Sequence, residues 1–83
     1  MSPDSTKHIA SKDQLIAFVR ELAADARANG ATWENSTLES FFDAMSAWLD
    51  DADGFYANRS ERIEAQSPWR VVADALAAAR IYE

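Results

Sequence analysis

The sequence predicts an all-α fold: a small three-helix domain, with helices at about 12–29, 37–53 and 68–82 and a disordered N-terminal tail. Three observations carry this. Apolar residues recur at helical spacing in three separate stretches. A serine or threonine stands where each stretch needs its first cap. No run alternates β-branched and polar residues in the manner of a strand. The 83 residues suffice for one domain over 11–83, with a flexible tail over 1–10 and too little bulk for a deep cleft between lobes.

The tail, MSPDSTKHIA, is polar, and only Ile9 is equipped to dock. In the first helix, Ser11 and Gln14 form a capping box. Leu15, Phe18, Val19, Leu22 and Ala26 then make one apolar stripe. Asn29-Gly30 ends it, with glycine expected in the left-handed C′ position. The second helix begins at Ser36 or Thr37, with Ser36 and Glu39 as its capping box. Leu38, Phe41, Phe42, Met45, Trp48, Leu49 and Ala52 form the most regular apolar stripe of the chain, and Gly54 is expected to close the helix. Residues 55–67 show no period and read as a loop with room for a short turn. The third helix has Ser67 as N-cap and Pro68 at its first position, where a missing N–H costs nothing.

That third helix is apolar on two sides. Trp69, Val72, Ala73 and Leu76 share one, and Val71, Ala75, Ala78 and Tyr82 share the other. Only Arg70 and Asp74, an i,i+4 pair, make a clearly polar strip between them. The plainer reading is a core helix sandwiched between the other two. The sharper one is a homodimer seam through Val71, Ala75, Ala78 and Tyr82. Arg80 falls on an apolar side, where it snorkels from the helix end or pairs with an acid of the second helix.

Eight Lys and Arg stand against fourteen Asp and Glu, a net charge of −6. This argues against nucleic acid and anionic membrane as partners, since both require a basic footprint. The charge is also localised. Residues 1–33 and 55–83 each balance, so the whole excess comes from Glu34, Glu39, Asp43, Asp50, Asp51 and Asp53, with no base between them. Glu39, Asp43 and Asp50 lie within about 40° of one another on a helix, away from the aromatic stripe. Asp50, Asp51 and Asp53 fall where the negative end of the helix dipole disfavours acids. The bland account is solvation, or pairing with Arg20, Arg27, Arg59 and Arg62. The functional accounts are a docking surface for a basic protein, a divalent cation site, and catalysis by paired carboxylates. Asp51, Asp53 and Gly54 match the middle of a calcium loop, but its first and twelfth positions fall on Leu49 and Ser60, so metal is not expected. Catalysis needs a cleft that a domain of this size does not supply. Docking is the expectation, with Phe55 and Tyr56 as aromatic neighbours of the acids, set either in the core or exposed beside them.

Other chemistry is thin. Cysteine is absent, which excludes disulfides, thiolate metal sites and cysteine nucleophiles. His8, the only histidine, lies in the tail without a nucleophile beside it. Gly30 and Gly54 are the only glycines, so no phosphate loop or cofactor motif exists. No apolar run reaches about 18 residues and the first ten lack an apolar signal core, so neither a membrane span nor a signal peptide is expected. Two sequons, at Asn35 and Asn58, are read as chance.

Trp33-Glu34-Asn35, Thr37-Leu38-Glu39, Ala47-Trp48-Leu49, Asp53-Gly54-Phe55-Tyr56-Ala57-Asn58, Pro68-Trp69-Arg70, Ala73-Asp74 and Ala78-Ala79-Arg80-Ile81-Tyr82-Glu83 together resemble DUF7660, a family of short, acidic, uncharacterised bacterial proteins. The resemblance covers about residues 12–83. It departs from the family pattern at Phe55, where the family has Tyr, and over 59–66, where the family is richer in Pro and Glu. It implies a bacterial, cytoplasmic origin, and it groups Asp53, Gly54, Tyr56, Asn58 and Trp69 as one unit. The unbalanced acids of the second helix and their aromatic neighbours, and not the resemblance, set the expected function: a non-enzymatic acidic interaction module, an inhibitor or immunity-type binder of a basic protein. Its candidate face is Glu39, Asp43, Asp50, Asp51, Asp53, Phe55, Tyr56 and Asn58. The alternative is a self-associating module using the third helix.

Overall fold

A computed structural model describes residues 6–82 of the chain. In order, the elements are α1 (Lys12–Asn29), a 3-10 turn (Gly30–Thr32), α2 (Leu38–Asp50), α3 (Ala52–Ala57), a second 3-10 turn (Ile63–Ala65) and α4 (Pro68–Ala79). No strand occurs among the described residues. The helical class matches the expectation, but the α-helices among the described residues number four because the expected second helix is two.

α1 starts as its sequence requires. The Gln14 N–H donates to Ser11 Oγ at 3.2 Å, and the Gln14 amide oxygen accepts from the Ala10 N–H at 2.7 Å. Its end differs from expectation. Gly30 sits at φ −58°, in the right-handed region, and leads into the 3-10 turn. The reason lies in the residues that follow. The Thr32 hydroxyl donates to Asn29 O at 2.7 Å, and the Trp33 indole N–H donates to Asp25 at 2.8 Å. These bonds satisfy the helix end and fold the chain back on α1 without a left-handed residue.

α2 is capped by Thr37 and Ser40, which form the capping box in place of Ser36 and Glu39. It ends at Asp50. Asp51, at φ −96° and ψ 3°, turns a corner, and α3 restarts at Ala52. Gly54 is thus inside a helix and does not terminate one. Ala52 and Tyr56, an i,i+4 pair, are both buried, and the gain from burying them outweighs the local preference of Gly54 for a stop. Ser60, at φ +59°, makes the turn after α3.

α4 begins with Ser67 Oγ accepting the Arg70 N–H at 3.1 Å and Pro68 in its first turn. It is the shared wall of two cores. On one side Ala73 and Ala77 pack with Ile9, Phe18 and Leu22. On the other Ala75 packs with Trp48, Ala52 and Tyr56. The sandwich reading accounts for the second apolar side. Val71, Ala78 and Tyr82 lean on that second core and Ala75 lies within it, so the expected homodimer seam is used inside the chain. The first side divides: Ala73 is buried, whereas Trp69 and Val72 are exposed. The stripe of α2 divides likewise. Trp48 is buried, Phe41 and Met45 are half-buried, and Leu38, Phe42 and Leu49 face solvent.

Of the expected tail, residues 1–5 lie outside the described residues, and residues 6–10 are docked. Thr6 and Ile9 are buried. The Ser67 hydroxyl donates to Ile9 O at 2.9 Å, which ties this segment to the start of α4. Burying one isoleucine contributes about 1.5–3 kcal/mol, enough to hold a short polar segment in place.

Candidate functional site

The corner at Asp51 sets the site. It turns α3 away from α2 and opens a groove of about 540 Å³ lined by Trp48, Asp50, Asp51, Gly54, Phe55, Asn58 and Tyr82. Trp48 supplies a buried floor, and Phe55 meets it edge-on with ring centroids 5.2 Å apart. Arg59 lies over the outer face of Phe55, 4.5 Å from its centroid. Tyr82 closes the opposite wall, and its hydroxyl donates to Asp51 Oδ2. That bond to a carboxylate raises the Tyr82 pKa above the usual phenol range.

Tyr82 reaches this position because Asn35 holds the end of α4. The Asn35 amide N–H₂ donates to Ala79 O at 3.0 Å and to Tyr82 O at 2.7 Å, while its backbone N–H donates to Arg80 O at 3.0 Å. One side chain thus satisfies the carbonyls that the helix end leaves open. Arg80 turns the other way. It lies 3.5 Å from Asp25 of α1, not against an acid of α2, and over the Trp33 ring at 5.8 Å. The bonds from Asn29 and Trp33, with the nearby Arg80 charge, hold the Asp25 carboxyl below the usual range.

Asp50, Asp51, Phe55 and Asn58 of the predicted face therefore meet in one groove, joined by Tyr82, which the sequence placed in a dimer seam. Asp43 lies just beyond Tyr82, in a smaller depression of about 240 Å³ shared with Asn35 and Ser40. Glu39 and Asp53 are exposed and line neither. Tyr56 leaves the predicted face, because it is wholly buried and points into the core. The dipole conflict is also smaller than the sequence suggests: Asp51 precedes α3 and Asp53 lies in its first turn, where an acid is favoured.

Among the described residues, no ion pair reaches this patch. Ion pairs among the described residues join Arg70 to Glu61 and Asp74, Arg80 to Asp25, and Arg62 to Glu64. Glu34, Glu39, Asp43, Asp50, Asp51 and Asp53 enter none of them, and neither do Arg20 and Arg27.

Sequence reasoning missed a second polar centre, which is internal. Arg70 and Asp74 are buried, where the sequence showed a polar strip. Asp74 accepts from the Thr6 hydroxyl and, at 2.6 Å, from the Tyr56 hydroxyl. Arg70 Nε lies 3.4 Å from the same carboxylate. Its Nη1 donates to Glu61 at 2.8 Å and to Gln66. The pairing with Glu61 raises the Arg70 pKa and lowers that of Glu61. Burial, together with the bond to Asp74, drives the Tyr56 pKa far above the usual phenol range. The signal for this centre was the i,i+4 pair itself, on a helix apolar to either side.

Among the described residues no group of three or more His, Cys, Asp or Glu side chains is placed to hold a metal ion. No helix among them is long and apolar enough to cross a membrane. His8 lines a separate depression over α1 with Gln14, Phe18 and Glu21.

A family model described as a family of unknown function, DUF7660, matches residues 11–83. The chain belongs to that family. No curated protein and no solved structure matches this DUF7660 member. The matched span of the DUF7660 model takes in all four helices and every residue lining the groove.

Proposed function

We propose that this DUF7660 protein is a non-enzymatic, cytoplasmic docking module of bacteria, which binds a basic protein of the same cell as an inhibitor or immunity-type partner. The observation that carries this reading is the groove at the α2–α3 corner. Asp50 and Asp51, which enter no ion pair among the described residues, flank aromatic walls from Trp48, Phe55 and Tyr82. A lysine or arginine side chain entering there gains carboxylate hydrogen bonds and the face of a ring. The surrounding acids, Asp43 and Asp53 among them, speed encounter with a positive surface and turn away negative ones.

The test is capture of proteins from the native host at low salt, by wild type and by the Asp50→Asn, Asp51→Asn, Asp53→Asn variant, with circular dichroism to verify folding. Wild type should retain basic proteins that elute as salt rises, and the variant should lose them. A bound set that is unchanged in the folded variant, or indifferent to salt, would overturn the proposal.

A further inference from the structure

The outward face of α2 carries an apolar seam that the domain leaves uncovered. Leu38, Phe42, Met45 and Leu49 recur at spacings of four, three and four residues, the pattern by which one helix packs along another. Met45 leans on the core, but Leu38, Phe42 and Leu49 keep 77%, 60% and 45% of their surface open to water. At its N-terminal end the seam borders a pocket of about 250 Å³ between Trp33, Leu38 and Phe41, of a size to take one apolar side chain. Glu39, Asp43 and Asp50 run parallel to the seam, about 100° further round the helix. α2 carries no basic residue.

We infer that this seam seats an amphipathic helix with basic flanks, supplied by the partner. The inference rests on the docking role proposed above and names the structure the partner presents. Charge selects the occupant. A second copy brings the same −6 charge and another α2 without a basic residue, so its α2 offers no counter-charge to Glu39, Asp43 and Asp50 in either orientation. A neutral helix would cover the seam and leave the neighbouring carboxylates partly desolvated without a counter-charge. A helix with lysine or arginine beside its apolar stripe satisfies both features at once.

The test is a titration of the isotope-labelled chain with a synthetic peptide of about 18 residues, five helical turns, carrying Leu at seam positions and Lys elsewhere. One control peptide has the same composition in scrambled order, and another has Glu in place of Lys. The expected result is chemical-shift change centred on Leu38, Phe42 and Leu49. The scrambled peptide and the Phe42→Ser variant should each weaken binding about tenfold or more, equivalent to about 1.4 kcal/mol. The Glu peptide should not bind. Phe42 is exposed, so its replacement leaves the core intact. Equal binding by the scrambled peptide, or no effect of Phe42→Ser, overturns the inference. If binding survives Phe42→Ser but is lost in Asp50→Asn, Asp51→Asn, the seam is refuted and the docking role stands. If the Lys peptide does not bind at low salt, the inference is overturned. A dimer in sedimentation that Phe42→Ser dissolves assigns the seam to a second copy and overturns it as well.

Discussion

The Tyr56 hydroxyl donates to Asp74 Oδ2 at 2.6 Å, and both side chains are closed to solvent. A buried carboxylate is tolerated only when its oxygens are occupied. Tyr56 and Thr6 occupy them, and Arg70 supplies the counter-charge.

Tyr56→Phe should therefore destabilise the fold by about 1.5–3 kcal/mol, as for a bond to a charged group. Urea denaturation measures it. The same bond predicts alkaline sensitivity. The folded Tyr56 pKa stands above its unfolded value, so its contribution is complete below about pH 10. Above that, the unfolded chain loses the proton and the folded chain keeps it, so stability should fall with rising pH. Tyr56→Phe should remove most of this slope. Tyr82→Phe should remove a further part, since Asp51 raises that phenol too. An unchanged slope in the double variant would refute the assignment.

Gly54→Ala should stabilise the protein by about 0.5–1 kcal/mol. Gly54 is helical, and a Cβ built on it meets nothing within 4 Å. A rise in melting temperature checks this. Because Gly54 also lines the groove, the same variant should bind a basic partner more weakly while folding better.

Ala75→Leu should cost about 1–3 kcal/mol through overpacking. Ala75 has no exposed surface and lies against Trp48 and Tyr56 where α4 crosses the second core. A self-association role for that side of α4 predicts the opposite, a tolerated or stronger dimer. Thermal melts and sedimentation together separate the two.

Asn35→Ala should lower stability by about 1–2 kcal/mol, the loss of two hydrogen bonds. It should also release Tyr82 from Asp51. Faster amide exchange at Ile81 and Tyr82, with α1 unaffected, is the expected signature.

The helix starts at Ser11 and Ser67 were legible because a cap is a contact between residues three apart. The end of α2 was not. Gly54 is a stop by every local rule, and what overrides it is the pull of Tyr56 into a core that a distant helix completes. The depth of Asp74 was equally hidden, since one of its partners, Thr6, lies 68 residues away. Of the candidate site, Asp50, Asp51, Phe55 and Asn58 could be grouped from sequence because one corner and one short helix bring them together. Tyr82 could not, because it reaches Asp51 across 31 residues and only through the hold of Asn35.

Both hydrophobic centres depend on α4, the last of the four described helices in chain order. The first needs Ala73 and Ala77, and the second needs Ala75. A nascent chain halted before Pro68 thus owns neither, and its Phe18, Leu22 and Trp48 stay wet. Folding should then be a single event that waits for α4 instead of growing helix by helix along the emerging polypeptide, and fragments that stop short of it should be prey for proteases and chaperones alike.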